Sequence, residues 1–226
     1  MVDLIDGLKR CGIPENALVS LAQKMEAYIK EIILFNSAYN LTNTSDRDEL
    51  LIRHIFDSLS AWPTISTAVV SIQPLRGHST TVIADIGSGG GLPGIPLAAA
   101  FSAAGIDGVR IELVERMEKR CAFLENCAAI LGLKNVTVVN SEAERIAENS
   151  YDLITFRAFR PLDKKMTKTL LRIVKPDGVL CAYKAKKENI KKEMEEICTL
   201  VPDFEVVPLS VPGLEDSERN LVIIRK

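Results

Sequence analysis

The chain has 226 residues, 47% of them hydrophobic, and a formal net charge of −2. That length supplies one sizeable core with chain left for an extension, and no apolar run reaches the roughly 20 residues that span a bilayer. The opening residues Met1 to Gly12 lack the basic, apolar and small-residue order of a signal peptide, so a cytoplasmic protein is expected.

Residues 1–76 read as a helical extension packed on a catalytic domain of residues 77–226. After Pro14-Glu15, Leu18, Leu21, Met25, Tyr28, Ile29, Ile32 and Ile33 recur at helical spacing and define one apolar face. Glu49 to Leu59 repeats that behaviour before Pro63, and the turn-rich stretch 73–79 separates the two parts.

From residue 81 the pattern changes to short β-branched runs alternating with helices, the sequence form of βαβ units in a parallel sheet. Strands are expected at Thr81–Ile86, Arg110–Val114, Val136–Asn140, Leu153–Phe156 and Gly178–Tyr183. Two more, Glu205–Ser210 and Asn220–Arg225, are joined by a link too short for a crossover helix, so the last strand should run antiparallel. The expected fold class is α/β: a Rossmann-like class I methyltransferase sheet of seven strands. The five cysteines, Cys11, Cys121, Cys127, Cys181 and Cys198, are scattered without Cys-x-x-Cys or Cys/His spacing. They read as reduced packing residues, with no metal expected.

The most informative stretch runs from Val82 to Leu97. An apolar strand ends in Asp85, and Gly87, Gly89 and Gly91 follow in a turn that lets a ligand approach the backbone before a helix begins. Gly89-x-Gly91-x-x-Gly94 matches the dinucleotide fingerprint, which keeps a nicotinamide-dependent oxidoreductase open as an alternative. Two features favour S-adenosylmethionine. Asp85 suits the cationic amino-acid end of that cofactor, met directly or through water, whereas it would repel a pyrophosphate. Gly87, not Gly89, lies at the strand end, so the fingerprint is out of register. About 30 residues on, Glu115 ends the second strand where a carboxylate accepts hydrogen bonds from ribose hydroxyls, with Glu112 as the alternative. Ser141 to Glu144 then falls beside the adenine.

The acceptor is narrowed by what is missing. No cysteine follows a proline, as pyrimidine C5 methylation usually requires, and the loop after the fourth strand reads Phe156-Arg157-Ala158-Phe159-Arg160-Pro161 instead of the Asn/Asp-Pro-Pro-aromatic form common among exocyclic-amine methyltransferases. Guanine N7 has a free lone pair and no proton to lose, so transfer there needs positioning and no general base; no acid-base catalyst is assigned. Arg157 and Arg160 suit a phosphate or guanine O6, and Phe156 and Phe159 are either core residues or a stacking surface. From Arg157 to Lys192 twelve basic residues stand against three acidic ones. This run, with Lys164, Lys165 and Lys184, is either an RNA-binding face or a pair of solvated helix faces.

Over nearly its whole length the sequence resembles the bacterial 16S ribosomal RNA guanine-N7 methyltransferases, the glucose-inhibited division protein B family. The resemblance rests on Tyr39-Asn40-Leu41-Thr42, Arg53 to Leu59, Asp85 to Leu97, Lys119-Arg120 with Phe123-Leu124, Glu144 and Arg157-Ala158. It implies cofactor contacts at Gly87, Leu92, Ala143, Glu144 and Arg157. It also implies that Asn40, Arg53, His54, Asp57 and Ser58 lie near the cleft and shape the RNA site. The implied partner is 16S ribosomal RNA or the small subunit; from the residues themselves, a monomer is expected because no coiled-coil seam or unexplained long apolar run is present, with no membrane or metal partner. Glu142 departs from an arginine found in many members, and Phe156 from a common serine. A same-fold methyltransferase acting on a small molecule or protein remains the alternative.

Overall fold

The computed structural model describes residues 3–73, 80–157 and 162–226. Arg160 and Phe159, and the expected boundary at residues 76 and 77, lie outside them. Seven strands, β1 (Thr81–Ile86), β2 (Val109–Glu115), β3 (Val136–Asn140), β4 (Tyr151–Arg157), β5 (Val174–Lys184), β6 (Glu205–Pro208) and β7 (Asn220–Arg225), form one sheet in the order β3-β2-β1-β4-β5-β7-β6. Strands β1 to β5 are parallel, and β7 runs antiparallel to both neighbours. This is the Rossmann-like methyltransferase arrangement expected from the strand pattern. Strand β5 starts at Val174, four residues before the expected Gly178, and passes through Pro176 and Asp177; the β4–β5 register shifts there between Tyr151 and Leu153, and Asp177 takes a φ of 60°.

The period-2 alternation of the strands divides the core into two layers. Ile83, Ile111, Leu113, Leu153 and Ile223 face one way, toward α6 (Gly94–Ala103) and α7 (Glu118–Ile130). Val82, Ala84, Ile86, Ile154 and Leu180 face the other, toward α8 (Lys164–Ile173) and α9 (Lys187–Ile197). Both faces of β1 are therefore buried, which is why its sequence is a continuous apolar run up to Asp85.

The N-terminal region contains α1 (Leu4–Arg10), α2 (Leu18–Tyr39), α3 (Arg47–Leu50), α4 (Asp57–Leu59) and α5 (Trp62–Ile72). Its apolar residues share the first core layer, with α2 lying against α6 and α7 and the Trp62 ring 4.8 Å from that of Phe101. Aspartates accept a backbone N–H at the starts of α1, α3 and α8: Asp3 from Asp6, Asp46 from Glu49, Asp163 from Met166. Two expectations need correction. Ile33 does not belong to the buried face of α2: it is 39% exposed, and the stripe continues through Ile32 to Asn36. The second amphipathic stretch is not a uniform α-helix, because Leu51–Phe56 winds as π-helix between α3 and α4. A one-residue widening of the turn leaves little mark on apolar spacing. Among the described residues no helix is long and apolar enough to cross a membrane.

Candidate active site

The crevice opens where the carboxyl ends of β1, β2 and β4 meet the N-terminal helices, at the point where the strand order reverses. After β1 the chain turns through Gly87, Gly89 and Gly91 at φ of 69°, 59° and 91°, a region costly for residues with a Cβ. The turn is tied down from below. Gly87 N–H and Ser88 N–H donate to the Val114 carbonyl, while the Asp85 carboxylate accepts from the Ser88 hydroxyl (2.7 Å) and Gly94 N–H (2.9 Å). Asp85 is fully buried and lines neither cavity of the crevice; Oδ1 has no partner among the described residues, and burial raises its pKa to about 6. Asp85, expected to meet the amino-acid end of a cofactor directly or through water, here accepts both of its hydrogen bonds from Ser88 and Gly94.

Glu115, at the end of β2, is also buried. Its carboxylate accepts from Gly89 N–H and Met117 N–H, each at 2.9 Å, and borders a cavity of about 210 Å³ whose far wall is Ser141 to Glu144. Glu112 lies elsewhere on β2, 3.1 Å from Arg110. Gly87 and Arg120 are shared between this cavity and a larger one of about 640 Å³. Leu41, Thr42, His54, Asp57, Leu92, Phe156, Arg157 and Tyr183 contribute to the larger wall. Phe156 is almost wholly buried and packs in the second core layer.

Arg157 joins the sheet to the π-helical turn. Its Nη1 donates to Asp57 Oδ2 (2.7 Å) and, at 3.4 Å each, to the carbonyls of Arg53 and His54. Its Nη2 lies 3.2 Å from His54 Nδ1. A guanidinium only donates, so Nδ1 accepts and the imidazole carries its proton on Nε2. Burial, followed by the Arg157 charge, lowers the His54 pKa to about 4. Ser58 is fully buried and donates to the His54 carbonyl, leaving it no surface for a ligand. Arg53 borders the larger cavity, as does Lys184, which pairs with Glu193. Lys164 and Lys165 stand exposed in the first turn of α8, outside that lining. Ala143 and Glu144 border the smaller cavity.

Several residues that build the crevice are absent from the expectations drawn from sequence. Asn36 accepts at Oδ1 from Leu41 N–H and Thr42 N–H and donates to the Thr44 carbonyl and Ser45 hydroxyl, shaping the loop after α2. Its signal was present: a polar side chain continuing the apolar stripe at Ile29 and Ile32. Tyr28 donates to the Gly90 carbonyl, Arg120 Nη2 donates to the Asn40 carbonyl at 3.0 Å, and Tyr183 donates to the Ser58 carbonyl at 2.6 Å. Asn40 itself ends α2 in a left-handed conformation and is exposed. Arg219 donates from Nε to Asp57 Oδ1 at 3.1 Å.

A glycine turn after β1, facing a buried carboxylate at the end of β2, lies at the crevice of a Rossmann-like methyltransferase fold. A tRNA (m1A58) methyltransferase of Aquifex aeolicus shares that fold, with a TM-score of 0.50 at 16% identity over 67% of this chain and 65% of its own. Residues 21–222 match the GidB family, described as rRNA small subunit methyltransferase G. The protein of that name in Treponema denticola is 42% identical over 99% of this chain and 93% of its own, and that of Treponema pallidum is 40% identical over 91% and 85%. The chain belongs to the rRNA small subunit methyltransferase G family.

Proposed function

We propose that this protein transfers a methyl group from S-adenosylmethionine to N7 of a guanosine in 16S ribosomal RNA. The observation that carries the reading is the pair of cavities meeting at Gly87, one walled by Glu115 and the other by cationic side chains. Bound there, the cofactor supplies a methyl group on a sulfonium. Glu115 fits its ribose hydroxyls, Ala143 and Glu144 its adenine, and Gly87, Gly89 and Leu92 its close approach to backbone, whereas Gly91, expected there too, faces Ile95 and Tyr28 and lines neither cavity. Arg157 stands on the side of the amino-acid end. Asp85 holds the glycine turn.

The larger cavity suits a nucleotide of a polyanion. Arg53, Arg120, Arg157, Lys184 and Arg219 border it, against the carboxylate of Asp57 alone among the described residues. His54, Asp57 and Ser58 fix the shape of that wall, with Asn40 behind it through Arg120, and Lys164 and Lys165 extend the basic surface to more distant phosphates. N7 attack releases no proton from the base, so the neutral His54 and the paired Asp57 are not needed as proton acceptors, and orientation supplies the rate. The reading is tested by transfer of tritiated methyl from labelled S-adenosylmethionine to 16S ribosomal RNA. Parent protein should label the RNA and Gly87→Asp should not; equal labelling by both overturns the site assignment.

A further inference from the structure

We propose that Arg219 is a phosphate-binding residue of the acceptor-RNA site and that Asp57 positions it; the proposal rests on the RNA methyltransferase reading above. Arg219 is the only basic residue between Lys192 and Arg225, a stretch that contains eight acidic residues. Two of the neighbouring acids are engaged elsewhere: Glu215 accepts from Arg10 and from Gly213 N–H, and Glu218 accepts from Lys187 N–H. The arginine instead turns inward, off the link between β6 and β7, and borders the larger cavity. Its Nε donates to Asp57 and its Nη1 to the Glu218 carbonyl at 2.9 Å, whereas Nη2 makes no hydrogen bond among the described residues.

Two arginines share one carboxylate. Asp57 Oδ2 takes Arg157 and Oδ1 takes Arg219, and the aspartate side chain is 9% exposed against 26% for Arg219. A single negative charge leaves one positive charge of the pair uncompensated, on the more exposed partner and beside a cavity whose other charged walls are basic. A guanidinium held by Nε with a free Nη edge is oriented for a phosphate oxygen. Asp57 is itself a positioning residue, acting through the guanidinium it orients.

The test is filter binding of unmodified 16S ribosomal RNA transcript across about 50 to 200 mM salt, with calorimetry of S-adenosylhomocysteine alongside. Each phosphate that the protein ceases to neutralise lowers the slope of log affinity against log salt by about one. Arg219→Gln should weaken RNA binding roughly tenfold, lower that slope by about one, and leave S-adenosylhomocysteine affinity within about twofold. Arg219→Lys should keep the slope. Asp57→Asn should lower it as Arg219→Gln does, and the double variant should bind no more weakly than the weaker-binding single variant, the non-additivity of two residues serving one phosphate. If Asp57→Asn does not fold, the Gln and Lys variants at Arg219 decide alone. An unchanged slope in Arg219→Gln, even with a lower melting temperature, overturns the proposal, as does a loss confined to S-adenosylhomocysteine. Salt-independent binding by the parent protein overturns the RNA reading as well; salt-dependent parent binding with an unaltered Arg219→Gln overturns this proposal alone.

Discussion

Arg157, the last residue of β4, and Asp57, the first of α4, meet at 2.7 Å with both side chains nearly buried. One ion pair thus ties the sheet to the N-terminal helices at the wall of the cavity. Arg157→Met leaves Asp57 with Arg219 alone and removes the donors from the Arg53 and His54 carbonyls. The expected loss is about 2 kcal/mol from the charged hydrogen bonds removed, because Arg219 still compensates Asp57 and no buried charge is left unpaired. Urea unfolding of the two proteins measures it, and a difference near zero would mean that the pair adds nothing to the packing that joins the two parts.

The loop after α2 depends on one side chain. Asn36→Ala deprives Leu41 and Thr42 N–H of their acceptor, and Leu41 lies against Gly90, where an added Cβ would sit 3.4 Å from it. A cost of about 2 kcal/mol is expected, together with weaker S-adenosylhomocysteine binding, because the glycine turn loses its cover. Unfolding and calorimetry on one preparation check both effects; full retention of affinity would separate Asn36 from the cofactor crevice.

His54 should remain neutral throughout the ordinary working range, protonated on Nε2. Its folded pKa of about 4 lies below the unfolded value of about 6.5, so its contribution to stability is present above that value and is lost as pH falls toward 4. Proton and nitrogen spectra of the imidazole, assigned with His54→Gln, should show no titration above about pH 5. A midpoint near 6.5 would contradict the burial of His54 beside Arg157.

Asp85 has the opposite dependence. Burial raises its folded pKa to about 6, against the bonds from Ser88 and Gly94, so the folded chain holds the proton more tightly than the unfolded one. The contribution is fully present below the unfolded pKa of about 4 and is lost as pH rises through about 6. Asp85→Asn cannot titrate, so its stability relative to the parent should improve by up to roughly 3 kcal/mol between those limits. Thermal melts across the window test this, and parallel curves would place the Asp85 pKa outside it.

The sheet was readable in part because strands buried on both faces are continuous apolar runs: β1 and β7 have the expected limits, as does the half-exposed edge strand β3, and the short link before Asn220 implies an antiparallel last strand. The glycine turn and Glu115 were readable because both sit at strand ends, where local sequence fixes their place. Arg219 was not, since it reaches Asp57 from 162 positions away, and no local pattern reports such a pairing. The π-helical turn and the inward direction of Asp85 depend likewise on what the chain packs against.

The most direct test of the central claim is mass spectrometry of nucleosides from 16S ribosomal RNA of a strain lacking this gene, its parent and a complemented strain. Loss of one N7-methylguanosine in the deletion and its return on complementation is the expected result. An unchanged modification profile across the three strains would contradict the assigned substrate.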